Sequence, residues 1–194
     1  MQIILASGSP RRKEILEQVG IPFSISVSQK EEKITKSEPE DVVKELSYRK
    51  AKDVSERIGD NGIIIGADTI VVQAGHILGK PKDKEHAVQM LCNLQGGCHS
   101  VYTGVSVLKK IEGRLEKEIV FSVETKVFVT AMTENEILAY VETGEPMDKA
   151  GAYAIQGRFA SYITKIDGDY YNVVGLPIAP LYAVLKEEGC VVKE

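Results

Sequence analysis

The run "GIIIGADTIVV", residues 62–72, constrains the fold of this chain more than any other stretch. It is apolar and rich in β-branched residues, without the alternation of a half-exposed strand. It therefore reads as a strand buried on both faces, which requires cover on each side of its sheet. Asp68 interrupts the run. An unpaired carboxylate in that setting is costly or takes up a proton, so Asp68 needs a cation, a metal, water in a cleft, or backbone N–H groups at a bend made by Gly66. The end of a strand in an α/β sheet is also where ligand sites open.

The flanking periodicities supply the cover. "QIILA" reads as a strand, 10–19 as a helix, "FSISV" as an alternating strand and 39–58 as a helix. A helix over 84–95 is opened by Asp83 and closed by Gly96. Strands near 100–109 and 119–130 precede a helix begun by "TENE", in which Thr133 and Glu136 form a capping box. Strands near 159–166 and 169–174, joined through "DG", lead to a last helix from Pro177 to about Glu188. The expectation is an α/β protein with a mixed sheet and flanking helices. At 194 residues and 43% hydrophobic, with no linker-like segment, residues 1–194 are expected to form one domain with room for two lobes.

A formal net charge of -4 argues against binding polymeric nucleic acid, while leaving room for a local basic pocket. No apolar stretch approaches the roughly 18 residues of a membrane span, and Met1 leads straight into a strand, so a cytoplasmic protein is expected. Cys92, Cys98 and Cys190 are odd in number and lack zinc-site spacing with His99; they read as reduced thiols.

Several polar residues stand where periodicity or electrostatics does not want them. In "LASGSPRRKEIL", Ser9 and Pro10 suit a helix start, yet Arg11 and Arg12 then fall in the first turn, where the macrodipole is already positive. Something anionic is expected opposite them. In the 39–58 helix the stripe Val43, Leu46, Val54 and Ile58 has Lys50 in its middle; it either snorkels past the core edge or aims a cation into a pocket. A hairpin at Ala74–Gly75 pairs Gln73 with His76 and Val72 with Ile77, and extrapolates to Thr69 with Lys80, returning a second lysine toward Asp68. "GKP" lacks the other features of a Walker A loop. Glu31 and Glu32 offer carboxylates for a hard cation such as Mg²⁺, beside Asp68. Gln156, between Gly151 and Gly157, carries an amide able to donate to and accept from a pyrimidine edge.

Together "LASGSPRR", Glu31–Glu32, "RKAK", "GADTIV", "LGKP" and "DKAGAYAIQG" resemble the Maf family of nucleoside triphosphate pyrophosphatases over nearly the whole chain. The resemblance implies a two-lobed mixed α/β fold like that of the inosine triphosphatases, with the active site in the cleft. It implies a cytosolic, metal-dependent enzyme using Mg²⁺ or Mn²⁺ that splits a nucleoside triphosphate into monophosphate and pyrophosphate, and it suggests a homodimer. Asp68 matches the family's catalytic acid; Ser7, Arg12, Lys50, Lys80 and the Glu31–Glu32 pair match the phosphate and metal site; Arg11, Thr69 and Gln156 match the specificity positions. The "IQG" form resembles the branch acting on dTTP and UTP. The alternatives are a pyrophosphatase for 7-methyl-GTP or another modified nucleotide, and a nucleotide-binding regulator of septum formation with little turnover.

Overall fold

A computed structural model describes residues 1–59 and 61–190. The chain runs through β1 (Ile3–Leu5), α1 (Pro10–Gln18), β2 (Ser24–Ile25), α2 (Pro39–Arg57), β3 (Gly62–Gln73), β4 (His76–Leu78), α3 (Lys84–Leu94), β5 (Cys98–Ile111), β6 (Arg114–Val129), α4 (Glu134–Glu142), β7 (Ile163–Asp167), α5 (Tyr170–Val174) and α6 (Ile178–Glu187). The sheet order is β2-β1-β3-β5-β6-β7, with β4 on β3. β1 pairs in parallel with β2 and β3, whereas β3–β4 and β6–β7 are antiparallel, so the sheet is mixed as expected. No helix among the described residues is long and apolar enough to cross a membrane.

The chain divides into two compact units. The first holds Met1–Asp68, Thr103–Val123 and the described residues from Gly175 on; the second holds Thr69–Tyr102 and Glu124–Val174.

In the first unit α2 is the organising helix. Glu40 and Asp41 in its first turn and Arg57 in its last complement the helix dipole. Its Ala51 and Val54 pack with Ile4, Ala6, Ile64 and Leu108 in one apolar cluster. The approach is unusually close. A Cβ on Gly66 would overlap the Ser47 carbonyl oxygen and lie 2.9 Å from the Ala51 nitrogen; a Cβ on Gly104 would overlap the Val43 carbonyl. Only glycine lets the helix backbone sit that near β3 and β5. Ser47 Oγ and Ser106 Oγ, 2.8 Å apart, satisfy each other in the same buried layer.

In the second unit the β3–β4 hairpin has the expected register, Gln73↔His76 and Val72↔Ile77, around Ala74 and Gly75 at φ 48° and 78°. The ladder ends at Val71↔Leu78, short of the extrapolated Thr69–Lys80 pair. Pro81, which has no N–H, follows at once. Asp83 caps α3 by accepting from the His86 N–H at 2.7 Å. The Thr133–Glu136 capping box is formed at α4. Tyr140, Tyr153 and Tyr162 pack around Phe159, and the Tyr153 ring meets His99 edge-on.

Four local expectations are corrected. "FSISV" contributes only Ser24–Ile25 to the sheet. Ser9 stands at the N-cap of α1, but its hydroxyl makes no capping bond. Residues 170–174 form a helical turn rather than a strand, and Arg158–Tyr162 a 3-10 turn. The Asp169 carboxylate accepts from the Tyr171 N–H at 2.8 Å, and Asn172 donates to the Val101 carbonyl and Thr125 Oγ1, so side chains satisfy what a strand ladder would have.

Gly66→Ala should lose at least about 3 kcal/mol of stability in urea unfolding, because the clash is with backbone that cannot swing aside. A loss below about 1 kcal/mol would mean that α2 can retreat from β3. His99 gives a pH test. It is 3% exposed, its Nε2 lies 2.8 Å from the Tyr153 hydroxyl, and burial pushes its pKa down to about 4. The native state thus disfavours the imidazolium. Stability is full above the unfolded value near 6.5 and falls as pH drops toward 4. Across that window the wild type should lose about 3 kcal/mol more than His99→Gln; parallel unfolding curves at both ends would refute the assignment.

Candidate active site

The close seat of α2 brings Lys50 to Asp68. Lys50 Nζ lies 2.6 Å from Asp68 Oδ1 and 2.8 Å from Glu32 Oε1, so one ammonium holds two carboxylates. Asp68 is 8% exposed. Burial raises its pKa, against the opposing pull of Lys50 and then Arg12. Of the partners open to Asp68 from sequence, the structure supplies a cation, and the Lys50 side chain, 18% exposed, crosses the helix stripe to reach it. Glu31 is exposed and is not part of this arrangement.

Arg12 is buried, although it starts a helix. Its Nε donates to the Gly175 carbonyl at 2.8 Å and its NH1 to Ser7 Oγ at 3.0 Å. Burial lowers its pKa while Asp68 works in the other direction. Ser7 Oγ also accepts from the Ser9 N–H at 3.3 Å, which fixes the chain just ahead of α1. Arg11, beside it, is half-buried. A cavity of about 160 Å³ opens next to this group, lined by Ser7, Gly8, Ser28, Lys30, Glu32 and Lys50 among others.

Ser28 and Lys30 were not singled out from sequence. Their placement depends on Asp53 of α2, which accepts the Gln29 N–H at 2.8 Å and Arg57 NH2 at 3.0 Å. The Gln29 bond is the main reason that its carboxyl is held below the usual range. An Asp on the buried side of a helix was the available signal.

The remaining candidates belong to the second unit. Thr69 directly follows Asp68 on β3 and is half-buried; Lys80 is exposed just beyond β4; Gln156 is exposed on the segment after Ile155. The segment that leads to Gln156 has a left-handed start, with Gly151 at φ 70° and Ala152 at φ 59°. The Gly151 N–H donates to the Gly79 carbonyl at 3.1 Å, and a Cβ on Gly151 would press on Val71.

Residues 2–188 match the family model described as Maf-like protein. The chain belongs to this family. Among its relatives is the dTTP/UTP pyrophosphatase of Lachnoclostridium phytofermentans, 54% identical over 97% of this chain and 95% of that protein. The proteins of the same name from Alkaliphilus oremlandii and Bacillus anthracis are 52% and 50% identical, over 95% and 96% of this chain and 95% of each relative. Among solved structures, the Staphylococcus aureus Ham1 protein aligns with 97% of this chain and 100% of its own at 14% identity, with a TM-score of 0.48.

For this Maf-like chain the donor set can be tested against a divalent cation. No group of three His, Cys, Asp or Glu side chains that could hold a metal occurs among the described residues. Asp68 and Glu32 nevertheless converge on a single cation position at Lys50 Nζ. Two carboxylates suit Mg²⁺ or Mn²⁺, whose remaining ligands are water and substrate phosphate.

Lys50→Met should cost about 2 kcal/mol, since it leaves Asp68 buried without its closest cation. In a double-mutant cycle with Asp68→Asn by urea unfolding, a coupling of at least about 1 kcal/mol is expected. Additive losses would show that the 2.6 Å pair contributes nothing to stability.

Proposed function

We propose that this chain hydrolyses dTTP and UTP to the nucleoside monophosphate and pyrophosphate. The observation that carries the reaction class is the buried Asp68 carboxylate held by Lys50 next to Glu32, beside a cavity that also presents Ser7 and Lys30. The choice of dTTP and UTP rests on the relatives that carry that name at about half identity over nearly full length.

Lys50, Lys80, Arg12, Ser7 and the N-terminal turn of α1 are the triphosphate-binding groups of this reading. Asp68 takes the proton of the attacking water as the oxygen bonds to the α-phosphorus and the bond to the bridging oxygen breaks, releasing pyrophosphate. A carboxylate whose pKa is raised by burial is a better base than an exposed one. Asp68 and Glu32 would hold a divalent cation, with Glu31 as the outlying member of the acidic pair. Such a cation supplies charge neutralisation on the phosphates. Arg11, Thr69 and Gln156 are the base-selecting positions.

The test is a screen of canonical and modified nucleoside triphosphates with Mg²⁺ or Mn²⁺, with products identified by mass. Monophosphate and pyrophosphate in equal amounts, best from dTTP and UTP, are expected. Diphosphate plus orthophosphate would reject the reaction class, and undiminished turnover after chelation would reject the metal. Asp68→Asn should remain folded yet lose roughly 10²-fold or more in kcat. A folded variant with near-normal turnover would make Asp68 purely structural.

A further inference from the structure

Gln156 is exposed, yet the backbone around it is tied at both ends to the same pair of side chains. Ala154 and Gly157 close a turn, with the Gly157 N–H donating to the Ala154 carbonyl at 3.1 Å, and Gln156 sits inside that turn. On one side the Ala154 N–H donates to the Tyr140 hydroxyl oxygen at 3.3 Å. On the other the Arg158 N–H donates to Glu145 Oε2 at 3.0 Å. The pair is itself joined, because the Tyr140 hydroxyl donates to Glu145 Oε1 at 2.8 Å.

The two residues are fixed independently of the turn. Tyr140 is 4% exposed and its ring packs on Phe159 with centroids 5.2 Å apart. The Glu145 N–H donates to Thr143 Oγ1 at 3.2 Å, and that hydroxyl donates to the Tyr140 carbonyl at 2.6 Å. The carboxylate also presses against the turn, since a Cβ on Gly157 would overlap it. Gly157 has φ -104°, which any residue adopts, so closeness to Glu145 rather than backbone conformation makes it a glycine.

We propose that Tyr140 and Glu145 are positioning residues for nucleobase selection, clamping the Ala154–Arg158 turn so that the Gln156 amide is presented in one orientation. This rests on the assignment of Gln156 as a base-selecting residue. An exposed amide on a free turn would have to be ordered by the ligand, and its discrimination between bases would be lost to that ordering. A turn clamped at both ends has that ordering built in. The alternative is that the pair simply staples a loop to α4.

Tyr140→Phe removes one oxygen and keeps the ring packing, so the fold is retained. Amide hydrogen exchange should quicken at Ala154 by about tenfold, and in Glu145→Gln at Arg158 by a similar factor. Discrimination, measured as kcat/KM for UTP over that for ATP, should fall by about tenfold in both variants, with the loss on UTP exceeding that on ATP. Gly157→Ala should reproduce the loss, because the added Cβ displaces the Glu145 carboxylate, and Glu145→Gln/Gly157→Ala should lose little more than either single variant, since both act on the same contact. Unchanged exchange at both amides would overturn the clamp. Faster exchange with equal losses on both nucleotides would leave only the staple and overturn the positioning role. A wild-type enzyme indifferent to UTP and ATP would instead overturn the base assignment, while the exchange data would still decide whether the clamp exists.

Discussion

The near-contact between the α2 backbone and strands β3 and β5 is the constraint on which the first unit depends. It exists because Gly66 and Gly104 have no Cβ at the points where the Ser47 and Val43 carbonyls approach. An ordinary helix-to-sheet spacing would leave a lysine side chain with more distance to cover and more solvent around it. Here Lys50, one turn beyond Ser47, reaches Asp68 directly at 2.6 Å. A packing decision taken at two glycines thus fixes an electrostatic one at Asp68. The same strand carries both residues, since Gly66 and Asp68 are two apart on β3 and point to the same face.

That electrostatic decision is a balance of costs. Burial alone pushes the Asp68 carboxyl toward its neutral form; Lys50 and Arg12 oppose this. Arg12 pays a desolvation cost of its own and is compensated by the Gly175 carbonyl, the Ser7 hydroxyl and the field of Asp68. The positive first turn of α1, unfavourable by itself, is therefore partly answered within the chain: the charge of Arg12 is turned toward protein acceptors. Glu32 shares the Lys50 ammonium, so the carboxylates are already gathered around one cation position. Gathering charged groups during folding removes a reorganisation that would otherwise accompany ligand binding.

The second unit solves a different problem with mostly uncharged groups. Its turn around Gln156 is held by a tyrosine hydroxyl and one carboxylate, anchored through an aromatic cluster centred on the fully buried Phe159. Neutral donors and apolar rings tolerate burial at little cost, which is how an exposed polar residue can be carried on a rigid support. His99 follows the same logic, since burial in that cluster disfavours an imidazolium.

Local chemistry written along the chain was enough for the alternation of strands and helices, the caps at Asp83 and Thr133, the Ala74–Gly75 hairpin register and the oddity of Asp68, Lys50 and Arg12. Each depends on neighbours within a few residues, or on a mismatch between a side chain and its own element. The family followed from motifs in order along the chain. Tertiary structure alone decided the rest. "FSISV" has the alternation of a strand but pairs over only two residues, and 170–174 has strand-like residues but turns, because Asn172 finds the distant Val101 carbonyl and Thr125 hydroxyl, partners that no local pattern reveals. The joining of Lys50 to both Asp68 and Glu32, the capture of Arg12 by Gly175 and the Tyr140–Glu145 hold on the Gln156 turn link residues from 5 to 163 positions apart. The long-range partners are set by how elements pack, and that packing turns on distances of an ångström or two at glycines, which a string of residues does not encode locally.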